Sequence, residues 1–432
     1  MSKNTIVHID MGGSRISALA GVVLNDELKI LGEQSRPSDD VKSGIVEKMT
    51  GAAYKINETT KLLQNALRIE PIASVSITVN AKSMKQIPYT QKTTLRKPIS
   101  EGMLKKLKEE CKEDLKNDKT DVIDCIPLAY YLDGKRIEDP VGQKGYNFRI
   151  DYNLIVCHPL VIENIERSIE RTGLAVDYIH LGMEAQATAV LEEDDRDNGC
   201  AILSFGSTTT SLAVYCEGHL QELMVVPLGG YNITKDIEEL GMSFANAETL
   251  KCKIGCALEE LVVKPVNVQI PHVNPNNDQI VISTKFLSTI IESRLDEILE
   301  PIFEKLEQVA FPLQTGIILT GGASKLKHLS DYITNRTGFP VRLGSHAEWL
   351  SADTDPKFKD PVYSQAVGAI LLTDYLKKQK GEEEKVIKPR IPSKNLITKA
   401  TAIFKNKMTD LFDYDEMSGI KMINKFFIFQ RN

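Results

Sequence analysis

The chain has 432 residues, more than one small core usually needs, and its 42% hydrophobic and 26% charged residues exclude collagenous, mucin-like and globally disordered classes. Its 53 Lys and Arg against 59 Asp and Glu give a net charge of −6, so no nucleic-acid partner is expected. The charge is uneven: residues 377–432 carry 13 basic and 7 acidic residues, a net +6, which leaves −12 on residues 1–376.

In chain order, the elements begin with the strand TIVHI, the glycine turn Asp10-Met11-Gly12-Gly13-Ser14-Arg15 and the strand ISALAGVVL. Residues 44–67 and 160–172 carry helical apolar spacing, and 74–79 and 151–157 read as strands. Between them, residues 81–150 predict a small α+β insertion. Its helix EGMLKKLKEECKEDL turns Met103, Leu104, Leu107 and Leu115 inward, and CIPLAYYLDG and YNFRID follow as strands. The opening pattern then returns 194 residues on, as CAILSF, Gly206-Ser207-Thr208-Thr209-Thr210 and SLAVYC. Gly12 aligns with Gly206, and Ser14 and Arg15 with Thr208 and Thr209, so duplicated domains are expected.

Further along, Gly229-Gly230 precedes a helix capped near Asn232 or Thr234, and helices are expected at 243–262 and 286–309. A buried strand leads into Gly321-Gly322-Ala323 and another helix, inside an αβ stretch over 312–376. The expected organisation is therefore a first lobe in two parts (1–80 and 151–198) interrupted by the insertion (81–150). A second lobe (199–232 and 312–376) carries a small subdomain (233–311), and a charged linker (377–395) and a tail (396–432) complete the chain.

A tight glycine turn exposes consecutive backbone N–H groups and admits phosphate oxygens that a side chain would exclude. Two such turns face to face can clamp a triphosphate. Ser14, Thr208, Thr209 and Thr210 add hydroxyls, Arg15 adds positive charge, Asp10 can hold a hydrated Mg²⁺, and Gly321 and Gly322 let an adenine or ribose lie against the backbone. Seven cysteines without C-x-x-C spacing and an N-terminus without a signal pattern point to a reducing cytosol. Cys252 and Cys256 share a helical face without a further ligand and are read as plain buried thiols; the seven dispersed histidines and Trp349 are read as structural.

No run reaches the ~18–20 apolar residues of a membrane span, so membrane contact is expected to be peripheral. Residues 396–412 place Leu396, Ala400, Ile403, Phe404, Met408, Leu411 and Phe412 on one stripe. In the last 14 residues Ile420, Ile423, Phe426 and Phe427 cluster beside Lys421, Lys425 and Arg431. Both segments have the chemistry of interfacial helices on anionic lipid, and the last is favoured as the insertion element; packing of 396–412 on the body or a partner is the alternative.

DMGGSR, LSFGSTTTSLAVY, PLGGYNITKDIEELGMSFANAETLK, ILTGGASKLKHL and the insertion IPLAYYLDGKRIEDPVGQKGYNFRIDYNLIVC together resemble the actin, heat-shock-chaperone and sugar-kinase ATPases, and within them the FtsA family, through about residues 5–375. The resemblance implies an actin-like two-lobed α/β fold of duplicated ribonuclease-H-like domains, with an FtsA-type insertion and an amphipathic tail. It implies ATP with Mg between the lobes, held by Asp10, Gly12, Gly13, Ser14, Arg15, Gly206, Ser207, Thr208, Thr209, Gly229, Gly230, Gly321, Gly322 and Ala323. Glu248 and Lys251 match positions near the adenosine, although an i, i+3 pair is also common on helix surfaces. Polymerisation, docking of the FtsZ C-terminal peptide onto 233–311, contact with other divisome proteins and attachment to the cytoplasmic face of the membrane at the division site are implied as well.

The family it resembles usually carries Asp where Ser204 stands, often another where Ser211 stands, and usually Thr where Gly13 stands. A hydroxyl at 204 lacks the charge for second-shell Mg²⁺ coordination, so the expectation is a nucleotide-binding scaffold, at most a weak ATPase. The alternatives are another actin-like filament or pilus-assembly ATPase, and a sugar or acetate kinase of the same superfamily.

Overall fold

The computed structural model describes residues 5–387. The chain divides into two compact units, Met1–Leu376 and Lys377–Asn432.

In the first unit, β1 (Ile6–Met11), β2 (Arg15–Leu24) and β3 (Glu27–Pro37) form an antiparallel meander. A short hairpin, β4 (Val41–Lys42) and β5 (Ile45–Val46), precedes α1 (Met49–Leu67), which buries Ala52, Ile56 and Leu63. The chain then enters the sheet as β6 (Ser74–Val79), parallel to β1.

The insertion follows: β7 (Lys85–Thr94), α2 (Glu101–Leu115), β8 (Asp121–Leu132), β9 (Lys135–Ile137) and β10 (Asn147–Cys157), with sheet order β7-β10-β8-β9. The Ser100 hydroxyl caps α2 by accepting from Met103 N at 3.3 Å, and Leu107 and Cys111 sink into a core shared with Phe148, Ile150 and Leu154. Sequence placed the end of this insertion at residue 150 and gave 151–157 to the lobe. Instead, β10 is one strand, paired with β7 and β8 along its length, so the inserted sheet runs to Cys157. Apolar alternation continues unbroken through that point, which is why composition offered no boundary.

After α3 (Pro159–Glu170), β11 (Ala175–Leu181) completes a five-stranded sheet of order β11-β6-β1-β2-β3. Helices α4 (Gly182–Val190) and α5 (Glu193–Asn198) lead to β12 (Cys200–Phe205), β13 (Thr210–Cys216) and β14 (His219–Val226), a second meander. Next come α6 (Gly230–Glu238), α7 (Phe244–Ile254), the hairpin β15 (Asn267–Ile270) and β16 (Ile280–Ser283), and α8 (Thr284–Glu307). The helix expected over 243–262 stops at Ile254, where Gly255 leaves helical geometry. Then β17 (Gly316–Thr320), α9 (Leu329–Thr337) and β18 (Val341–Leu343) finish a sheet of order β14-β13-β12-β17-β18.

Both sheets have the same connectivity: a three-stranded meander whose first strand pairs in parallel with a later strand, which pairs in parallel with a still later one at the edge. The duplication read from the glycine turns is thus a duplication of whole sheets. Their inner strands are apolar on both faces, β12 and β17 being buried throughout, as parallel sheets covered on both sides require. The last helix of the first unit, α10 (Ser364–Ile387), passes α4 so closely that a Cβ on Gly368 would collide with the Ala185 carbonyl.

In the second unit only the end of α10 is described. No helix among the described residues is long and apolar enough to cross a membrane. The linker and tail assignments, with Ile420, Lys421, Ile423, Lys425, Phe426 and Phe427, lie outside the described residues.

Candidate functional site

The β1–β2 and β12–β13 turns occupy equivalent places in the two sheets and open into one cavity of about 1050 Å³. Asp10 stands at the end of β1, and Gly206 N donates to Thr209 O at 2.9 Å to close the second turn. Around this cavity the fold brings together Gly12, Gly13, Ser14 and Arg15 of the first turn and Gly206, Ser207, Thr208 and Thr209 of the second. Gly230, Glu248, Lys251, Gly321, Gly322 and Ala323 also line it.

Two expected residues stand elsewhere. Gly229 does not line the cavity; it sits behind the second turn, where a Cβ would come 2.6 Å from the carbonyls of Gly206 and Ser207. That proximity lets Gly230 N and Tyr231 N donate to those carbonyls at 3.0 and 2.8 Å, so the third glycine turn braces the second. Thr210 is fully buried with its hydroxyl donated to Leu228 O at 2.9 Å, and is not free for a ligand.

Lys251 is the hub of the opposite wall. Its ammonium donates to Gly230 O (2.8 Å), Thr234 Oγ1 (2.7 Å) and Glu248 Oε2 (2.8 Å), using all three protons. Burial acts to raise the Glu248 carboxyl, but hydrogen bonds from Lys251 and Thr234 and the Lys251 charge together hold it below its usual range. The pair is therefore tied into the glycine turn rather than lying on a free helix surface. Cys252, expected to be a buried thiol, is instead exposed and reaches the cavity, whereas Cys256 is buried.

At the base runs a chain of amides that the sequence reading did not single out. Gln365 Nε2 donates to Asp10 Oδ1 at 3.1 Å and to Thr78 Oγ1 at 2.8 Å, while Gln365 Oε1 accepts from Gln186 Nε2 at 3.1 Å. Gln186 Nε2 in turn donates to Ser204 Oγ at 2.9 Å, and its Oε1 accepts from Thr320. Asp10 and Ser204 are the equivalent positions of the duplication, 194 residues apart, and two glutamines from the crossing helices α4 and α10 join them. Burial pushes the Asp10 carboxyl above the usual carboxylate range, with the Arg15 charge and the Gln365 amide pulling the other way.

Trp349 is structural, donating Nε1–H to Ala189 O at 3.1 Å, and His8 and His180 are buried with pKa values lowered to about 3 and about 4 by desolvation. Among the described residues no three His, Cys, Asp or Glu side chains cluster as a metal site.

The model of the family "Cell division protein FtsA" matches residues 201–368. The chain is 29% identical over 394 residues to the cell division protein FtsA of Escherichia coli K12, covering 85% of this chain and 90% of that protein. Identity is 26% to the Bacillus subtilis FtsA (86% and 84% covered) and 27% to that of Borreliella burgdorferi (92% and 97%). Among solved structures, the chain is similar to the PilM–PilN type IV pilus biogenesis complex (TM-score 0.60, 16% identity, 85% of this chain and 98% of that one). It is also similar to MreB5 of Spiroplasma citri bound to ADP (TM-score 0.56, 12% identity, 88% and 99%). The fold is actin-like, and the FtsA resemblance extends over most of the chain.

Proposed function

We propose that this chain, actin-like in fold and similar to FtsA cell-division proteins over 85% of its length, is a nucleotide-binding filament protein that tethers an FtsZ ring to the inner face of the membrane. The observation that carries the reading is the meeting of two pseudo-equivalent glycine turns in one cavity, walled by the third and fourth glycine turns. Backbone N–H groups at residues 12–14 and 207–209 would grip the phosphates, and the Gly321-Gly322 turn would face the adenosine.

Mg²⁺ suits the donor set. A half-buried carboxylate whose ionisation is disfavoured gains from a nearby cation, and Mg²⁺ binds through one or two carboxylates, its own waters and the nucleotide phosphates. Asp10 would hold the ion through water, and the ion would supply neutralisation of phosphate charge. Turnover is expected to be slight because the amide of Gln186 is committed to Ser204, Gln365 and Thr320, and Ser204 contributes no carboxylate to orient a water.

Docking of the FtsZ peptide is assigned to the small subdomain, residues 233–311, and anionic lipid to the tail. One interfacial helix binds weakly, so filament avidity would link polymerisation to attachment. Negative-stain microscopy on anionic lipid monolayers with and without MgATP tests this. Ordered filaments on lipid, reduced on deletion of 417–432, are the expected result; dispersed monomers that phosphorylate a sugar would favour the kinase reading instead. If the deletion leaves binding unchanged, the insertion element moves to 396–412.

A further inference from the structure

The β4–β5 hairpin lines the same cavity through Val41, Gly44 and Val46. Its two-residue turn, Ser43-Gly44, has both φ values positive (50° and 73°), the conformation of a tight hairpin and one that a non-glycine residue adopts at a cost. The tip is fixed to the first lobe. Lys82 N donates to Ser43 O at 3.1 Å, and Gly44 lies so close to Asn80 O that no side chain fits. From that anchored tip Ser43 N–H reaches across the cleft to the second turn, donating to Thr208 Oγ1 at 3.2 Å over a separation of 165 residues.

Thr208 also meets the first turn. A Cβ built on Gly13 would overlap the Thr208 hydroxyl, so the missing side chain at 13 is the room in which Thr208 sits. One threonine of the second lobe is thus held between two backbone segments of the first.

We propose that the β4–β5 turn is a third arm of the phosphate clamp, a latch that grips Thr208 and passes phosphate occupancy to the first lobe. The inference rests on the nucleotide reading above. A threonine hydroxyl has two lone pairs and one proton. Ser43 N–H uses a lone pair and leaves the proton for a phosphate oxygen. An anion accepting that proton polarises the hydroxyl and strengthens its bond to Ser43, so the latch tightens when the cleft is filled. Thr208 is a ligand-contacting residue in this scheme, Ser43 positions it, and Gly13 is what admits it.

The test is MgATP titration of the full chain, paired with hydrogen exchange over residues 41–46 with and without MgATP. Thr208→Val keeps the shape and removes the hydroxyl. It should weaken MgATP about tenfold and abolish nucleotide-dependent protection of 41–46, with Thr208→Ser restoring both. Gly13→Ala retains every hydroxyl yet displaces Thr208, and should behave like Thr208→Val. Should the parent bind MgATP while Thr208→Val matches it in affinity and in protection of 41–46, the latch is overturned and the nucleotide reading stands. A parent chain with no saturable MgATP binding would overturn both.

Discussion

Lys251→Met should destabilise the chain by about 2 kcal/mol and weaken MgATP binding by about tenfold or more. The ammonium is the shared donor for Gly230 O, Thr234 Oγ1 and Glu248 Oε2, with its side chain 10% exposed. Methionine fills the volume but leaves Glu248 without its cation. The expected cost lies below the ~3–5 kcal/mol of a fully buried pair because the Glu248 side chain is 42% exposed and water screens it. The expected binding loss follows from the brace: Gly230 N holds Gly206 O, so loosening the Gly230 turn loosens the second glycine turn. Urea unfolding across pH checks the sign. The folded pKa of Glu248 is lowered, so its favourable contribution is present above its ordinary value of 4.5 and is lost as pH falls through the folded value. The gap between parent and variant should be full at pH 7 and narrow below about pH 4.5.

Asp10→Asn should raise the melting temperature of the nucleotide-free chain at neutral pH and remove most of the stabilisation that MgATP confers on the parent. The folded pKa of Asp10 is raised, chiefly by burial. The ionised carboxylate therefore costs stability at pH values above the folded pKa, and that cost disappears below its ordinary value of 3.8. Asparagine avoids the charge while its Oδ1 can still accept from Gln365 Nε2. With MgATP the order should reverse, because the variant offers no carboxylate to the hydrated ion. Ligand-induced stabilisation falls with affinity, and a hundredfold weaker Kd removes about 2.7 kcal/mol of it at saturating ligand. A melting series with and without MgATP at pH 7 reads both effects; a variant less stable than the parent in the absence of ligand would refute the strain assigned to Asp10.

The glycine turns were legible because their backbone geometry tolerates few residues, and their recurrence 194 residues apart exposed the duplicated sheets before any contact was known. The amphipathic helix Glu101–Leu115 was legible from its spacing, although Cys111, fully buried in the same core, was not picked out. Gln186 and Gln365 were invisible for a physical reason. An amide on a helix has no characteristic spacing, and these two acquire meaning only once α4 and α10 cross beneath the cavity. The β4–β5 hairpin was hidden because its second half fell within residues 44–67, a stretch with helical spacing, and because two-residue strands carry too few side chains to show alternation. Ser43, at positive φ, is a poor turn signal where Gly or Asn would have been a good one. Gly229 illustrates the converse. Its pattern identified a special turn, but not that the turn braces the second glycine turn from behind.

The central claim is that the cleft holds a nucleoside triphosphate without spending it. Its most direct test is equilibrium titration of the purified full chain with MgATP, followed by chromatography of the bound nucleotide and a phosphate-release assay on the same sample. Saturable binding near one nucleotide per chain, recovered mainly as ATP with little phosphate released, is the predicted result. Absence of saturable binding, or sustained phosphate release that a cleft variant such as Asp10→Asn abolishes, would contradict it.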